Sequence, residues 1–587
     1  MGRSLLAARI GVAALSTSAL FTASPGLAQS VPLAPTRDEL TRDQPSPETR
    51  GPSLNVVGDI ERSPCPLADP KFADVRLTIS DVVFNGLKGA SIEEMRAAWT
   101  PYAGTERPVA VICEIRDAAA TMLRNKGYLA AVQVPTQKIE GGIVRLEVLY
   151  ARVTAVRARG QVSGAESKIA GYLSKLTEDE IFDRNRAERY LLLARDLPGY
   201  NVQLTLKPAG TGPGELIGEV SVLHRPYALD ATVQNLAARQ TGRWGGQLRA
   251  QAFGLTGMGD ATYVSIYSTA DTKEQQIFQA GHSFRPGSEG LIVHGQFTYA
   301  WTKPDIDAEP GDPEIKARTL FATLGASYPV RRTQAFNLTL GGGLDWIHQK
   351  VKFFVPLTDD KIRVAWLRAD VDGVDLSSRK PKWRYGASLE LRKGLDIFDA
   401  TEDCDEGDCS FPTPSRIDGE ATAMVVRASA SGELALGNSF AIAIEPSAQY
   451  AFDPVLSFEE FTAGNYTVGR GYDPATLAGD SGVGLTAELR GPRINPIKQS
   501  KLQIQPYVFA DAAWVWNKNF VNDDDNDDYR NPDHLLSLGG GLRADFTDRL
   551  HLDAVVAVPT ERAGLQTRRG DTRFLLTLTS RLLPWRS

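Results

Sequence analysis

The feature that most limits how this chain can fold is a long series of segments in which apolar and polar residues alternate. The series starts near residue 226 and continues to residue 587, and clear examples are segments 291–301, 336–346, 383–392 and 536–546. Successive side chains of a β-strand point to opposite faces, so each segment predicts a strand with one apolar and one polar face.

Two architectures can use such strands: a large soluble sandwich and a barrel that spans a membrane. The segments are long, at about 10 residues each, and short turns alternate with long polar loops, as in membrane barrels. A closed sheet also leaves no backbone edge facing hydrocarbon. Aromatic residues lie near the predicted strand ends, and these are Trp301, Trp346, Trp383, Trp514 and Trp516. The sequence therefore favours an all-β transmembrane barrel over residues 226–587.

Charge and hydropathy exclude other classes. The chain has 65 Lys and Arg against 71 Asp and Glu, a net charge of -6. A nucleic-acid binder should carry a concentrated basic face, so no nucleic-acid partner is expected. After the N-terminus no run of ~18 apolar residues occurs, which argues against membrane-spanning helices.

The N-terminus has the pattern of a secretory signal peptide. Arg3 and Arg9 precede an apolar run, and Gly26 and Ala28 form a small-residue cleavage site. We expect residues 1–28 to be removed, so that the mature chain works outside the cytoplasm. Residues 29–72, rich in Pro, Ser and charge, predict a linker with a possible short plug helix.

Residues 73–225 contain one pattern of elements twice, in the order strand, helix, helix, strand, strand. The first copy covers residues 73–150 and the second covers residues 151–225. Repetition of one supersecondary unit predicts two small α+β domains in tandem.

Four cysteines can oxidise in such a compartment. Cys404 and Cys409 lie close together in an acidic loop, and Cys65 could join the linker to Cys113 in the first small domain. A metal site is the alternative for a C-x4-C pair, but no second pair or nearby histidine completes a ligand set. Disulfides are therefore the favoured interpretation, and no metal or cofactor is expected.

Three segments carry a family resemblance: 127–153, 184–216 and, above all, 459–482. They resemble the transporters of two-partner secretion systems, of the hemolysin-activation and filamentous-hemagglutinin-transporter type, whose barrels follow periplasmic POTRA domains. The resemblance implies two POTRA domains, a barrel of sixteen antiparallel strands in the cell outer membrane, and no enzymatic activity. It also implies a large secreted partner protein that the POTRA domains capture unfolded, contact with outer-membrane lipid, and insertion of the barrel by the barrel-assembly machinery.

The same resemblance points to a site formed by Arg470, Gly471 and Tyr472 with Phe509 and Asp511. In the family, the first motif is the tip of a long loop that enters the barrel lumen, and the second lies on a wall strand. The sequence supports part of this independently, because Asp511 shares a strand face with the polar residues of segment 501–511 and should point inward. An arginine in a partly desolvated lumen needs such a partner.

Other residues of the resemblance are expected to serve the fold. The POTRA motif residues in this group are Gly127, Tyr128, Pro135, Pro198 and Gly199. Two positions depart from the family pattern: Gly469 stands where Val or Ile is common, and Ala513 stands where Gly is common. The seating of the loop is expected to differ in detail.

Four alternatives have weaker support. Segment 479–482 (GDSG) resembles a protease nucleophile, but none of the six histidines has the setting of a catalytic base. The acidic run 522–528 could bind calcium, although it lacks the central Gly and bidentate Glu of a calcium loop. An insertase for other barrels generally has more POTRA domains than two, and a passive porin has no reason to carry any.

Overall fold

The computed structural model describes residues 34–41, 54–56, 65–160, 163–212, 214–305, 314–378, 380–404, 409, 411–437, 439–497, 500–518, 531–547, 549–563 and 569–583. The predicted signal peptide lies outside these residues, and so does the acidic run 522–528. Among the described residues, no helix has the length and hydropathy needed to span a bilayer.

The N-terminal segment supplies two short elements. Helix α1 (Arg37–Leu40) begins with a capping box, in which Thr36 and Glu39 exchange side-chain and backbone hydrogen bonds. It falls near the short helix that the sequence predicts in the linker. Strand β1 (Leu54–Val56) pairs in parallel with residues 204–206 of the second small domain.

The first small domain has the predicted α+β composition. Its elements are β2 (Arg76–Thr78), β3 (Asp81–Asn85), α2 (Ile92–Met95), β4 (Glu106–Pro108), α3 (Val111–Asn125), β5 (Ala130–Gln133) and β6 (Ile143–Tyr150). The main sheet has the order β3-β6-β5, with β3 and β6 parallel, and β2 pairs with β4 beside it. Cys65 and Cys113 form a disulfide that joins the end of the linker to α3.

The second small domain repeats this plan. Its elements are β7 (Arg152–Gly160), α4 (Glu166–Ser174), α5 (Arg184–Arg195), β8 (Tyr200–Pro208) and β9 (Glu215–His224). The sheet has the order β1-β8-β9-β7, so the linker strand β1 covers one edge. Buried faces of both helices and of β8 form the core, with Leu191, Ala194 and Leu206 almost fully buried.

Sixteen strands of the described chain close into one antiparallel barrel. Consecutive strands are neighbours, and the last strand pairs with the first. The strands are β10 (Tyr227–Gln234), β11 (Gly245–Phe253), β12 (Ala261–Thr269), β13 (Gln275–Phe284), β14 (Ile292–Thr302), β15 (Lys316–Arg332), β16 (Phe336–Phe353), β17 (Val355–Val374), β18 (Trp383–Gly394), β19 (Met424–Leu436), β20 (Phe440–Ala451), β23 (Ser481–Arg490), β24 (Leu502–Trp516), β25 (Asp533–Phe546), β26 (Leu550–Pro559) and β27 (Arg573–Leu583), while β21 (Phe461–Ala463) and β22 (Leu477–Gly479) form a hairpin inside the connection between β20 and β23.

The barrel confirms the predicted fold class, but three strands are longer than the roughly 10 residues that the alternation suggested. Strands β15, β16 and β17 have 17, 18 and 20 residues. A tilted strand needs only about 9–11 residues to cross a bilayer. These strands therefore continue beyond the membrane as a paired extension, and residues such as Trp346 lie within a strand rather than at its end.

The second small domain is fastened to one end of the barrel. Asp196, just after α5, accepts two hydrogen bonds from Arg332 at 2.7 and 2.8 Å. The Tyr190 hydroxyl donates to Glu289 at 3.0 Å, and the Gln334 amide donates to Glu188 at 2.6 Å. The turns that carry these barrel residues therefore lie on the side of the two small domains.

Closure can be tested at the seam between β10 and β27. Val233 and Leu578 are directly opposite in the register, and Val233 is 48% exposed on the outer face. Cysteines at both positions, Val233→Cys with Leu578→Cys, should form a disulfide on mild oxidation, because opposite residues lie within bonding range. The measurement is a mobility shift of the denatured chain, with Val233→Cys alone as control. Absence of the crosslink would contradict a closed barrel.

Candidate functional site

The candidate site lies on the long connection between β20 and β23, residues 452–480. Within this connection, β21 and β22 pair as a hairpin. The segment between these two strands contacts the inward faces of β24 and β25. Its buried residues Val468, Tyr472 and Leu477 pack with Ala513, Val515 and Leu535 of the wall. The connection is therefore folded into the lumen.

Arg470 and Asp511 are in direct contact. The guanidinium donates to both carboxylate oxygens, with Nη2–Oδ1 at 2.7 Å and Nε–Oδ2 at 3.1 Å, and the Arg470 backbone amide adds a third bond at 2.9 Å. Asp511 is 1% exposed, as the strand parity predicted. Burial alone would lower the pKa of Arg470, but the hydrogen bonds and charge of Asp511 raise it above its ordinary value.

A second carboxylate holds the same guanidinium. Glu488 on β23 accepts from Arg470 Nη1 at 2.7 Å and also from Arg543 at 2.9 Å. The Phe509 ring lies beneath the guanidinium, with 3.5 Å between Cζ and the ring centroid. The predicted site included Phe509 but not Glu488. Its signal was available, since a Glu on the inward parity of a barrel strand needs a cationic partner.

The residues that flank Arg470 explain how the tip approaches the wall. A Cβ on Gly471 would lie 2.8 Å from the Cβ of Ser537 and 2.9 Å from the backbone nitrogen of Pro559. Gly469 has a φ of 124°, which side chains with a Cβ rarely adopt. This departure from the family pattern therefore gives the tip a turn that Val or Ile could not easily make.

Tyr472 holds the end of the tip against the barrel wall. It is fully buried, and its hydroxyl donates to the backbone oxygen of Leu536 at 2.8 Å. Arg573 on β27 donates to the backbone oxygen of Tyr472. The three residues of the predicted motif thus contact four wall strands, β23, β24, β25 and β27.

The base of the connection is held by a buried arginine that sequence analysis did not single out. Arg392 on β18, whose side chain is 2% exposed, binds Glu459 through two bonds of 2.8 and 2.9 Å. It also donates to Asp345 at 2.8 Å and to Glu390 at 3.0 Å. Glu459 accepts a further bond from Arg427 at 3.0 Å. One cation therefore joins the loop base to two wall strands.

A second arginine fixes the other end of the loop. Arg416 donates to Asp480 at 2.5 Å and to Glu460 at 3.2 Å. Burial raises the pKa of Glu460 to about 7, although Arg416 opposes that shift. Asp480 also accepts the amides of Val455 and Lys518, each at 2.8 Å. The GDSG segment thus uses its carboxylate to hold the loop.

Helix α1 lies inside the barrel and contacts this network. Arg37 donates to Glu390 at 3.3 Å, and Asp38 accepts the hydroxyl of Thr462 at 2.6 Å. Leu40 is fully buried against inward-facing residues that include Tyr267 and Phe321. The N-terminal segment and the long loop therefore share the lumen.

The predicted POTRA motif residues lie mostly at joints. The Gly127 carbonyl accepts the Arg184 amide at 2.9 Å, and Tyr128 forms a bridge with Asp183, so this turn connects the two small domains. A Cβ on Gly199 would lie 2.6 Å from the backbone oxygen of Arg225, where the second domain meets the barrel. Pro198 adjoins this turn, whereas Pro135 lies in the connection between β5 and β6.

The structure also places the remaining candidate residues. Cys404 and Cys409 are joined in a disulfide within the connection between β18 and β19. Among the described residues, no group of three or more His, Cys, Asp or Glu side chains is arranged to hold a metal ion.

The contacts of Arg392 predict a large difference between two arginines of one strand. Arg392→Gln should destabilise the folded protein by about 3–5 kcal/mol, because Glu459, Asp345 and Glu390 would stay buried without their cation. Arg384→Gln is the matched control on β18. Its side chain is 52% exposed beside Glu433, so its loss should cost about 0–1 kcal/mol. Urea-unfolding midpoints in detergent micelles measure both, and equal losses would contradict the role given to Arg392.

The fold of this chain is similar to that of solved structures of other proteins. Two solved structures have the same fold. CdiB from Escherichia coli is 16% identical, with a TM-score of 0.73, and the match covers 89% of this chain and 94% of that chain. CdiB from Acinetobacter baumannii is also 16% identical, with a TM-score of 0.64, and the match covers 92% of this chain and 94% of that chain. No match was found among curated protein sequences.

The family comparisons match most of the chain. The model of the ShlB-type POTRA domain matches residues 77–150, and that of the haemolysin secretion/activation protein ShlB/FhaC/HecB matches residues 220–544. The second match covers more than half of the 587 residues. Together with the closed barrel and its two preceding domains, it shows that the chain belongs to the ShlB/FhaC/HecB haemolysin secretion/activation family, the outer-membrane transporters of two-partner secretion.

Proposed function

We propose that the contact between Arg470 and Asp511 holds the long loop in the lumen and so sets the competence of the barrel for export. The observation that carries this proposal is the three hydrogen bonds that Arg470 makes to one buried carboxylate. A bidentate pair fixes orientation as well as distance. Glu488 accepts a further hydrogen bond from the same guanidinium, and the Phe509 ring packs against its face.

The exported molecule is a large secreted partner protein that crosses the barrel unfolded. The lumen holds both α1 and the long loop, so a passing chain requires at least one of them to move. The ion pairs that retain them are local and can re-form, which suits a reversible opening. Folding of the partner outside would then favour the outward direction.

The two POTRA domains capture the partner in the periplasm. A sheet edge can accept an extended segment as an added strand, with backbone hydrogen bonds supplying affinity. Strand β1 already pairs in this way with β8. At the opposite edge, β7 borders a groove of about 310 Å³, where apolar residues such as Val156, Ile169 and Leu173 lie beside the polar residues Glu166, Ser174 and Thr177.

Two further partners belong to this proposal. The apolar outer face of the barrel contacts outer-membrane lipid, and Leu324, Leu344 and Leu367 are exposed there. The barrel-assembly machinery inserts the closed sheet, because isolated strands would present unsatisfied backbone groups to hydrocarbon.

Substitution of Arg470 tests whether its contact with Asp511 controls export. Arg470→Ala should reduce secretion of the partner at least about tenfold, since Asp511 and Glu488 would lose a shared cation. Arg470→Lys should retain part of the rate, because an ammonium keeps the charge but not the fork. The partner is quantified in culture supernatant at equal barrel abundance. Arg493→Ala, which removes an exposed arginine from the connection between β23 and β24, is the control. Secretion by Arg470→Ala at the wild-type rate would refute the proposal.

Deletion of the gene separates the transporter from an insertase and from a porin. Loss of one large secreted protein, with other barrels at normal abundance, is expected of a transporter. Broad loss of outer-membrane barrels would instead indicate an insertase, and reduced uptake of small solutes would indicate a porin. Quantitative proteomics of the supernatant and the outer membrane measures the first two outcomes in one experiment.

A further inference from the structure

Four cations form a rectangular block on two neighbouring strands. Lys316 and Arg318 lie on β15, and Lys352 and Lys350 lie directly opposite them on β16. Opposite Cβ atoms are about 4.5–5.5 Å apart, and residues two apart along a strand are separated by about 7 Å. We call these four residues the basic block.

The basic block points away from the lumen. Ala317 and Thr319 on β15, and Gln349 and Val351 on β16, are buried on the inward face. The block residues alternate with them, so their side chains lie on the outer face. The turn between these strands contacts the second POTRA domain through Arg332, and the block is at the far end of both strands, on the extracellular side.

Aromatic side chains place the block at the level of lipid headgroups. Trp301 on β14 is opposite Arg318, and Trp346 lies on the same outer face of β16 as Lys350. Both are about two-fifths exposed, at 43% and 40%. Farther toward the periplasm the same face carries Leu344, exposed by 51%. An outer stripe that changes from Leu to Trp to Lys crosses the boundary between hydrocarbon and headgroups.

This arrangement is unfavourable for the protein alone. Like charges directly opposite each other destabilise a sheet, and here two such pairs are adjacent. Lys350 pairs with Asp359 at 2.6 Å and Lys316 with Glu314 at 3.1 Å, but His348 shares Asp359 at 2.7 Å. Within the described ranges, no carboxylate is at ion-pair distance from Arg318 or Lys352. The whole chain is acidic, at -6, so composition does not explain the cluster.

We propose that the basic block binds the phosphoryl groups of a lipid headgroup in the outer leaflet. Two rows of cations about 5 Å apart can surround a phosphoryl group, and Arg318 offers a planar fork that matches its oxygens. Trp301 and Trp346 would lie beside the upper acyl chains of the same lipid. A soluble partner is less suitable, because the adjoining surface is apolar and faces the bilayer.

The test measures binding of diphosphorylated lipid A to the full-length protein by native mass spectrometry. Arg318→Gln combined with Lys352→Gln should raise the apparent Kd at least about tenfold, since each basic residue near a phosphate layer contributes to the free energy of binding. Lys380→Gln combined with Lys382→Gln removes the same charge from the connection between β17 and β18, at the opposite rim, and should change the Kd less than about twofold. Equal affinity of the block variant and the wild type would overturn the proposal.

Two further arms identify the ligand chemistry. Lipid A without phosphates should bind wild type as weakly as the block variant binds the phosphorylated form. Inorganic phosphate at the same concentration should not displace the lipid, and displacement would show that free phosphate rather than a headgroup is the ligand. Higher salt should weaken binding to wild type more than to the block variant. Neither variant alters the contacts of Arg470, so lipid binding and export are separate measurements.

Discussion

Closure of the sheet is the constraint on which the rest of this structure depends. In hydrocarbon, an unpaired backbone amide or carbonyl costs several kcal/mol, so a sheet can cross only if every edge is paired. The pairing of β10 with β27 satisfies that requirement. Once the ring is closed, strand parity assigns every side chain to lipid or to the lumen.

A polar lumen creates the second requirement, because charges held there must be paired. Arg470 meets Asp511 and Glu488, Arg392 meets Glu459, Asp345 and Glu390, and Arg416 meets Asp480 and Glu460. These pairs fasten one long loop at its tip and at both ends. Breaking such a pair is costly, and some carboxylates of this network bind more than one arginine, as Glu488 and Glu459 do.

Local patterns predicted the parts of the molecule that depend on local physics. Alternation along segment 501–511 placed Asp511 on the inward face, and the repeated order of elements over residues 73–225 predicted the two small α+β domains. The resemblance supplied the pairing of Arg470 with Asp511, which lie 41 residues apart. Glu488 and Arg392 escaped notice because a charged residue on a strand face does not reveal which distant segment it will meet.

The contacts between domains at Gly127 and Gly199 were not predicted, for a similar reason. Gly127 and Gly199 are POTRA motif residues that the resemblance assigns to the fold, and both have positive φ. That each turn also contacts a neighbouring domain depends on how separate cores dock, which no local pattern encodes. The length of β15, β16 and β17 was underestimated because pairing, once begun, continues past the membrane wherever a neighbour strand is present.

By itself, the sequence determined the class of fold, the two domains before the barrel and the face on which each strand residue lies, since these follow from periodicity and from the cost of exposing backbone groups. Only the tertiary structure decided which charges meet inside the lumen, that α1 lies beside the long loop, and that four cations share one outer rim. Those contacts join residues distant in sequence, and they arise only when closure of the barrel fixes the register of every strand.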